Sequence, residues 1–405
     1  MNLRIAWRNI WRNKKRTLIT VSSIMMAVII AVFMRSFQEG TYAKMIDNAV
    51  GQFTGYVQVH QKDYWADKTL DNGIVITDSL LQQIKSVKNV EAVNLRIESF
   101  SLSSYKNNTK GTLVLGIDPE KEKSMLNIEA KIIKGKYLKT KDKSILLGSG
   151  LANYLNINIG DTLVLMGQGH WGQSAIGAFP VKGIVKMPAP DLDKQIVFMS
   201  LLTAQQYFSF ENGVTSIVVK FGSDDYTSQI VRNINSKIDT NIYKAIDWKE
   251  MTPEMLQQIQ GDRIGGIFMI SILYMIIAFG VFGTTLMMTE ERKKEFAVMI
   301  AIGTHKSKLI LISLYETIIM NLIGVLSGIV FVIPLIIYFR DHPIRMTGDM
   351  AASVEKLGIE PVLPTIMKMS IFVNHISIIL IIACLAAIYP LVSIWKLKLM
   401  KSLRR

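Results

Sequence analysis

Four stretches of the chain are apolar over about the length a helix needs to cross a hydrocarbon core of about 30 Å. They are residues 17–37, 264–288, 309–339 and 371–395. The third is longer than one span requires and carries Glu316, and a carboxylate is costly at mid-membrane. Residues 309–316 are therefore expected as an interfacial lead-in to that span. Between the first and second runs, at 38–263, the pattern changes. YVQVHQ (56–61) alternates with a period of two, like a strand. DSLLQQIKSV (78–87) puts Leu80, Ile84 and Val87 on one helical face, after a cap at Thr77 or Asp78. EAVNLRIESFSLSSY alternates again, and TSIVVKF reads as a strand. DDYTSQIVRNINSKID then spaces Tyr226, Ile230, Ile234 and Ile238 as a helical face. Strand–helix–strand units thus flank the segment at both ends. Strand and turn signals fill the middle, about 107–205, which predicts an α/β core with a β-rich insertion.

Charge orients this pattern. Half of the residues are hydrophobic, the mean hydropathy is +0.29 and the formal net charge is +14. A nucleic-acid binder would gather that charge on one folded face. Here it flanks the apolar runs, and no zinc-finger spacing or RNP-like motif accompanies it. Arg4, Arg8, Arg12, Lys14, Lys15 and Arg16 precede the first run. Arg292, Lys293, Lys294, Lys306 and Lys308 lie in the 289–308 loop. Lys396, Lys398, Lys401, Arg404 and Arg405 make 396–405 a basic tail. The 340–370 loop balances four basic against four acidic residues. The positive-inside rule then puts both termini and the 289–308 loop in the cytoplasm, with 38–263 and 340–370 outside. The fold class expected is a multi-pass α-helical membrane protein, N-in and C-in, with a large α+β extracytoplasmic domain after the first span. That span is long and no small-x-small cleavage site follows, so a retained signal anchor is expected. Upstream, in 1–16, Leu3, Ala6, Trp7, Ile10 and Trp11 share a stripe and Arg4, Arg8 and Arg12 another. This suits an interfacial amphipathic helix, or a positive-inside anchor, or both.

The loop TEERKKEFAVMIAIGTHKSK is more than a polar connection. Residues 290–302 are predicted as a short helix with Phe296, Met299 and Ile300 as its apolar side. Gly303 fits the position just past a helix end, and Thr304 is a candidate cap for the next helix. An interfacial helix without a partner is the alternative, but Glu290, Glu291 and Glu295 suit an anionic leaflet poorly.

Signs of catalysis are missing. No phosphate loop of the form GxxxxGK[ST] occurs, GTHKSK included. The five histidines (60, 170, 305, 342, 375) have no metal-ligand spacing. GSG (148–150) does not satisfy GxSxG and reads as a turn before the helix LANYL. Asp191 and Asp193 read as a solvated loop before a cation site. Cys384, the single cysteine, reads as an apolar packing residue.

Several motifs carry a family likeness. They are LRIAWRNIWRNKKRT before the first span, and GYVQVH, LGIDPE, IIKGKYL, ILLGSGLANYLNINIGDTL and FPVKGIV in the outer segment. ERKKEFAVMIAIGTHKSKLILISLYE follows in the loop, and AAIYPLVSIWKLKLMKSLRR at the end. With the four-span layout, the chain resembles the FtsX-like/MacB-type permeases of ABC transporters over nearly its whole length. AIDWKEMTPEML and GIVKMPAPDLDKQIVFMSLLTAQQYF resemble most the LolC/LolE branch, which extracts lipoproteins from the inner membrane. The resemblance implies a MacB-like periplasmic core domain and a bacterial inner-membrane location. It implies work as a homo- or heterodimer with a second permease subunit, driven by a LolD-like cytoplasmic ATPase in a partner chain. No cofactor is expected in this chain; ATP and Mg would sit on the partner. The 289–308 helix would couple ATPase closure to the spans through Glu290, Glu291, Arg292, Glu295, Phe296, Met299 and Gly303. The first two spans would form a lipid-receiving cavity, with Met26, Val28, Phe33, Phe268, Ile272 and Met275 as candidate lining. GQGHWGQSAIGAF (167–179) occupies about the place of a hairpin that docks a periplasmic carrier, which makes His170 and Trp171 candidate partner contacts; a plain hairpin turn is the alternative. Three functions stay open: lipoprotein release, export of peptides or toxins, and activation of a cell-wall hydrolase. A neighbouring gene for a carrier, an adaptor or a hydrolase would separate them.

Overall fold

The computed structural model describes residues 2–123, 125–222, 226–349, 351 and 361–397. The basic residues Lys398, Lys401, Arg404 and Arg405 lie outside the described residues. The chain divides into two compact units. One comprises Met1–Tyr42, Gln258–Arg345 and Val362–Arg405, the other Ala43–Gln257 and Met346–Pro361.

The first unit is helical. Among the described residues, four helices are long and apolar enough to cross a membrane: Lys14–Gly51, Pro253–Glu291, Lys306–Asp341 and Met369–Trp395. The first and third pack closely because Gly324 and Gly328 lie one turn apart on the third. A Cβ on Gly324 would stand 2.8 Å from Ile24, and one on Gly328 2.7 Å from Val28. In an apolar solvent hydrophobicity does not drive helices together, so such close small-residue contact is what van der Waals packing can use. Val28 is therefore fully buried, and Phe33 packs edge-on against Phe339 at 5.6 Å between ring centroids. Val28, expected to line a cavity, belongs instead to the interior of the bundle, and Phe33 is half-buried at its edge. Met26, Phe268, Ile272 and Met275 are exposed on it.

The third helix shows no division between lead-in and span; it runs unbroken from Lys306 to Asp341. Before the first long helix, Asn2–Arg12 forms a separate helix. Its predicted apolar stripe splits in two. Ala6 and Ile10 are buried, whereas Leu3, Trp7 and Trp11 remain exposed, with the two indoles edge to face.

The second unit holds a ten-stranded sheet. Its outer four strands run Tyr243–Asp247, Val57–Gln61, Ser216–Phe221 and Val90–Tyr105, all antiparallel neighbours. With helices Asp78–Lys85 and Thr227–Asn235 they make a β-α-β, β-α-β frame in ferredoxin-like order. The segment between its second and third strands, 108–215, is an insertion that adds further strands to the same sheet, while Gly213–Val214 pairs with Ile74–Val75 apart from it. There Asn108–Ile117 runs parallel to Ile196–Ser200, and Thr162–Gln168 forms a hairpin with Ser174–Val185.

Local chemistry explains the helices of this frame. Thr77 caps Asp78–Lys85 by accepting from the Leu80 amide, and Leu80 and Ile84 face the core. On Thr227–Asn235, Ile230 and Ile234 are buried, but Tyr226 is exposed: it precedes the helix rather than joining its apolar face.

Several ionisable side chains are buried here, each with its partners. Arg96 donates through Nε and Nη2 to Glu122 at 2.7 and 3.1 Å, and both side chains are fully enclosed. Asp193, read from sequence as a solvated loop residue, is a buried staple. It accepts from the amides of Ser149, Gly150 and Met187, from Ser149 Oγ, and from Lys186 Nζ. Burial pushes its carboxyl up, but those donors outweigh burial and hold its pKa below the ordinary value. His60 is enclosed, stacked on Tyr64 at 4.8 Å, with Nδ1 2.9 Å from the Thr215 carbonyl.

Burial lowers the His60 pKa from its ordinary 6.5 to about 4. A depressed folded-state pKa means the contribution is complete above pH 6.5 and is lost as pH falls through 4. The span corresponds to about 3 kcal/mol. We expect His60→Phe to flatten the fall of the unfolding midpoint between pH 6.5 and 4; an unchanged slope in thermal unfolding would count against this burial effect.

Candidate functional site

The 289–308 loop is organised around one buried carboxylate. The second long helix ends at Glu291, and Arg292 is the break before the short helix Lys293–Ala301. The break turns the Arg292 guanidinium inward. It pairs with Glu316 on the third helix and lies over the Phe296 ring at 5.0 Å. The other Glu316 oxygen accepts from Asn9 Nδ2 at 2.7 Å. Both oxygens are thus satisfied, which is the condition under which a carboxylate persists in an apolar bundle. A cavity of about 20 Å³, room for about one water, adjoins the pair between Thr289, Ser313 and Thr317.

Further ion pairs tie the loop region to the N-terminal helix and to the start of the first long helix. Arg12 donates to both Glu295 oxygens at 2.6 and 2.7 Å, and Arg16 pairs with Glu291. The Arg12 hydrogen bonds hold the Glu295 carboxyl below the usual range. Glu290 accepts from Lys293 and from the Tyr389 hydroxyl of the fourth helix, both at 2.5 Å. Lys306 Nζ donates to the carbonyls of Trp395 and Leu397 at 2.9 and 3.1 Å, capping the fourth helix. Phe296 and Ala297 bury with Leu309, Ile394 and Leu397 in a small core that Met299 and Ile300 flank.

The end of the loop helix is a Schellman turn. The Gly303 amide donates to Ile300 O at 3.0 Å and the Thr304 amide to Met299 O at 2.9 Å. Gly303 has φ +98°, a conformation an L side chain rarely adopts. Thr304 does not cap the next helix; His305 holds that position, with no side-chain cap bond.

The structure brings these residues together: Glu290, Glu291 and Glu295 are exposed while paired within their own chain, and Arg292 and Phe296 are buried. The outward face is carried by Lys294, Val298, Ala301 and Ile302, with Val298 45% and Ile302 80% exposed. Their i, i+4 and i, i+7 spacing opposite Phe296 and Ile300 was the available signal. Asn9, Arg12, Arg16 and Glu316 were not singled out as loop partners, because nothing local links them to it.

In the other unit, His170 and Trp171 sit at the tip of the hairpin between Thr162–Gln168 and Ser174–Val185. His170 stacks on Phe210 at 4.3 Å between centroids. Trp171 has a left-handed backbone (φ 56°), its amide donates to Asp71 at 2.6 Å, and its side chain is 76% exposed.

Among known proteins, a family model for the MacB-like periplasmic core domain matches residues 17–237, more than half of the chain. The FtsX-like permease C-terminal model matches 267–400. The lipoprotein-releasing system transmembrane protein LolC of Xylella fastidiosa (strain 9a5c) is 20% identical over 227 residues. That match spans 54% of this chain and 54% of LolC, so the chain spans about half the length of this curated relative. An uncharacterized ABC transporter permease of Methanocaldococcus jannaschii is 21% identical over 342 residues, 80% of this chain and 81% of its own. The solved periplasmic region of MacB from Actinobacillus actinomycetemcomitans aligns at 14% identity and a TM-score of 0.35, over 54% of this chain and 97% of that one. With four helices of membrane-crossing length and a mixed α/β domain between the first and second, the two family models place the chain in the family of FtsX-like, MacB-type ABC transporter permeases.

Proposed function

We propose that the chain transmits force from a cytoplasmic ATPase in a partner chain, where ATP and Mg bind, to an extracytoplasmic domain. The reading rests on one observation above all. The loop helix is tied to three other helices of its unit, yet presents Val298 and Ile302 outward from an otherwise charged loop. A surface that is rigidly held behind and apolar in front suits a docking lever. The positive flanks of the spans support an N-in, C-in orientation in a bacterial inner membrane, with the large domain outside. A second permease subunit, identical or not, would complete the transporter.

The cargo we propose is lipoprotein, released from the inner membrane for transfer to the outer one; the 20% identity with LolC supports it. Met26, Phe268, Ile272 and Met275, exposed on the bundle, are the remaining candidates for lipid contact. The exposed Trp171 hairpin is the proposed docking point for a periplasmic carrier. Peptide or toxin export and hydrolase activation are the competing outcomes of the test. In depleted cells, lipoproteins destined for the outer membrane should accumulate in the inner membrane; normal sorting would sink the cargo assignment. A photoreactive group at Trp171 should label a soluble periplasmic protein in the same cells, and labelling of none would remove the carrier contact.

Two further outcomes test the lever. Val298→Glu with Ile302→Glu should abolish co-purification of the ATPase without loss of membrane insertion. Glu295→Arg should cost under about 1 kcal/mol of stability, since the Arg12 pair is half exposed. It should nevertheless lower stimulated ATPase turnover several-fold, and adding Arg12→Glu should restore it. Failure of the swap to restore turnover would show that the pair has no part in coupling.

A further inference from the structure

At the end of the helical unit opposite the 289–308 loop, three cations converge on one cavity. Its volume is about 250 Å³ and its lining includes Arg35, Glu39, Arg263, Lys368 and His375. Arg35 Nη2 lies 2.7 Å from Glu39 Oε1, and Arg263 Nη2 donates to both Glu39 oxygens at 3.1 and 3.3 Å. One carboxylate is therefore shared by two guanidiniums. Lys368 makes no ion pair among the described residues. It stands immediately before the fourth long helix, Met369–Trp395, whose first turn adds the partial positive charge of a helix N-terminus.

Two alternatives fail on charge and polarity. A purely structural ion cluster would balance its charges, but this lining holds three cations against one carboxylate. An acyl-chain pocket would be walled by apolar groups. The depth is informative as well. Arg16 and Arg35 are on one continuous helix, and nineteen residues at 1.5 Å each separate them by about 29 Å, one hydrocarbon thickness. With Arg16 at one membrane surface, Arg35 and the cavity lie at the other, at the level of lipid headgroups. Cations at that level ordinarily reach outward one by one; here they point into a shared space.

We propose that this cavity binds the phosphate of an anionic membrane lipid. Lys368 and Arg263 contact the phosphate oxygens, and Glu39 fixes the two guanidiniums at its edge. Bidentate guanidinium contact and a lysine point charge are the usual means of holding such a group. The site is independent of which cargo the permease carries.

The test is thermal unfolding of the full chain in dodecylmaltoside, titrated with dioctanoyl-phosphatidylglycerol, dioctanoyl-phosphatidylcholine or sodium phosphate. Phosphatidylglycerol should raise the midpoint saturably. Lys368→Gln and Arg263→Gln should each lose at least half of that shift, Lys368→Arg should keep it, and Lys396→Gln, a basic residue elsewhere in the unit, should leave it intact. An equal shift in Lys368→Gln and Arg263→Gln, or none in the parent protein, overturns the proposal. Equal protection by phosphatidylcholine overturns the need for an anionic lipid, and equal protection by sodium phosphate reassigns the cavity to a soluble anion.

Discussion

A carboxylate facing the inside of an apolar helix bundle must be neutralised by something in the bundle, and much of the helical unit follows from how Glu316 meets that condition. Its cation comes from Arg292, which reaches it only because the second long helix stops and turns there. The stop creates the start of the loop helix. The second Glu316 oxygen takes Asn9, which fixes the N-terminal helix beside the third. Once that helix is in place, its Arg12 falls opposite Glu295, and Arg16, at the start of the first long helix, pairs with Glu291. Removing one partner of the buried Arg292–Glu316 pair would strand the other, a penalty of about 3–5 kcal/mol. The same chemistry appears in the other unit, where buried Arg96 pairs with Glu122 and also donates to the Phe53 carbonyl.

These pairs differ in kind. Arg292 with Glu316 is shielded from solvent, whereas Arg12 with Glu295 is half exposed. Salt screens the second far more than the first. The N-terminal helix therefore has a firm attachment through Asn9 and a loose one through Arg12. The proposed lever would use both: a fixed pivot and a contact that can be renegotiated.

How much of this was legible depended on the range of the interaction. Apolar run length marked the four long helices, since it is a local property of consecutive residues. Period and capping marked Asp78–Lys85, where Thr77 does accept from the Leu80 amide. Gly303 was readable because a left-handed position past a helix end favours glycine. What failed was partner choice. The partners of Glu316 were not readable because they lie 24 residues before it in the loop and 307 residues before it in the N-terminal helix. Asp193 was read as solvated because its donors come from Ser149, Gly150 and Met187, which no local pattern joins to it. Val28 was placed on a cavity wall because an apolar residue in a span carries no mark of the side it faces; the spacing Gly324-x-x-x-Gly328 was the mark, on a different helix.

The N-terminal clamp has a consequence for biosynthesis. Arg12 is made 283 residues before Glu295. At translation rates of about 5–20 residues per second, that is a delay of roughly 15–60 seconds. Through that interval the arginines have no carboxylate of the loop to meet, so the N-terminal helix folds without this clamp. Leu3, Trp7 and Trp11, still exposed in the finished fold, are the apolar side chains it then presents outside.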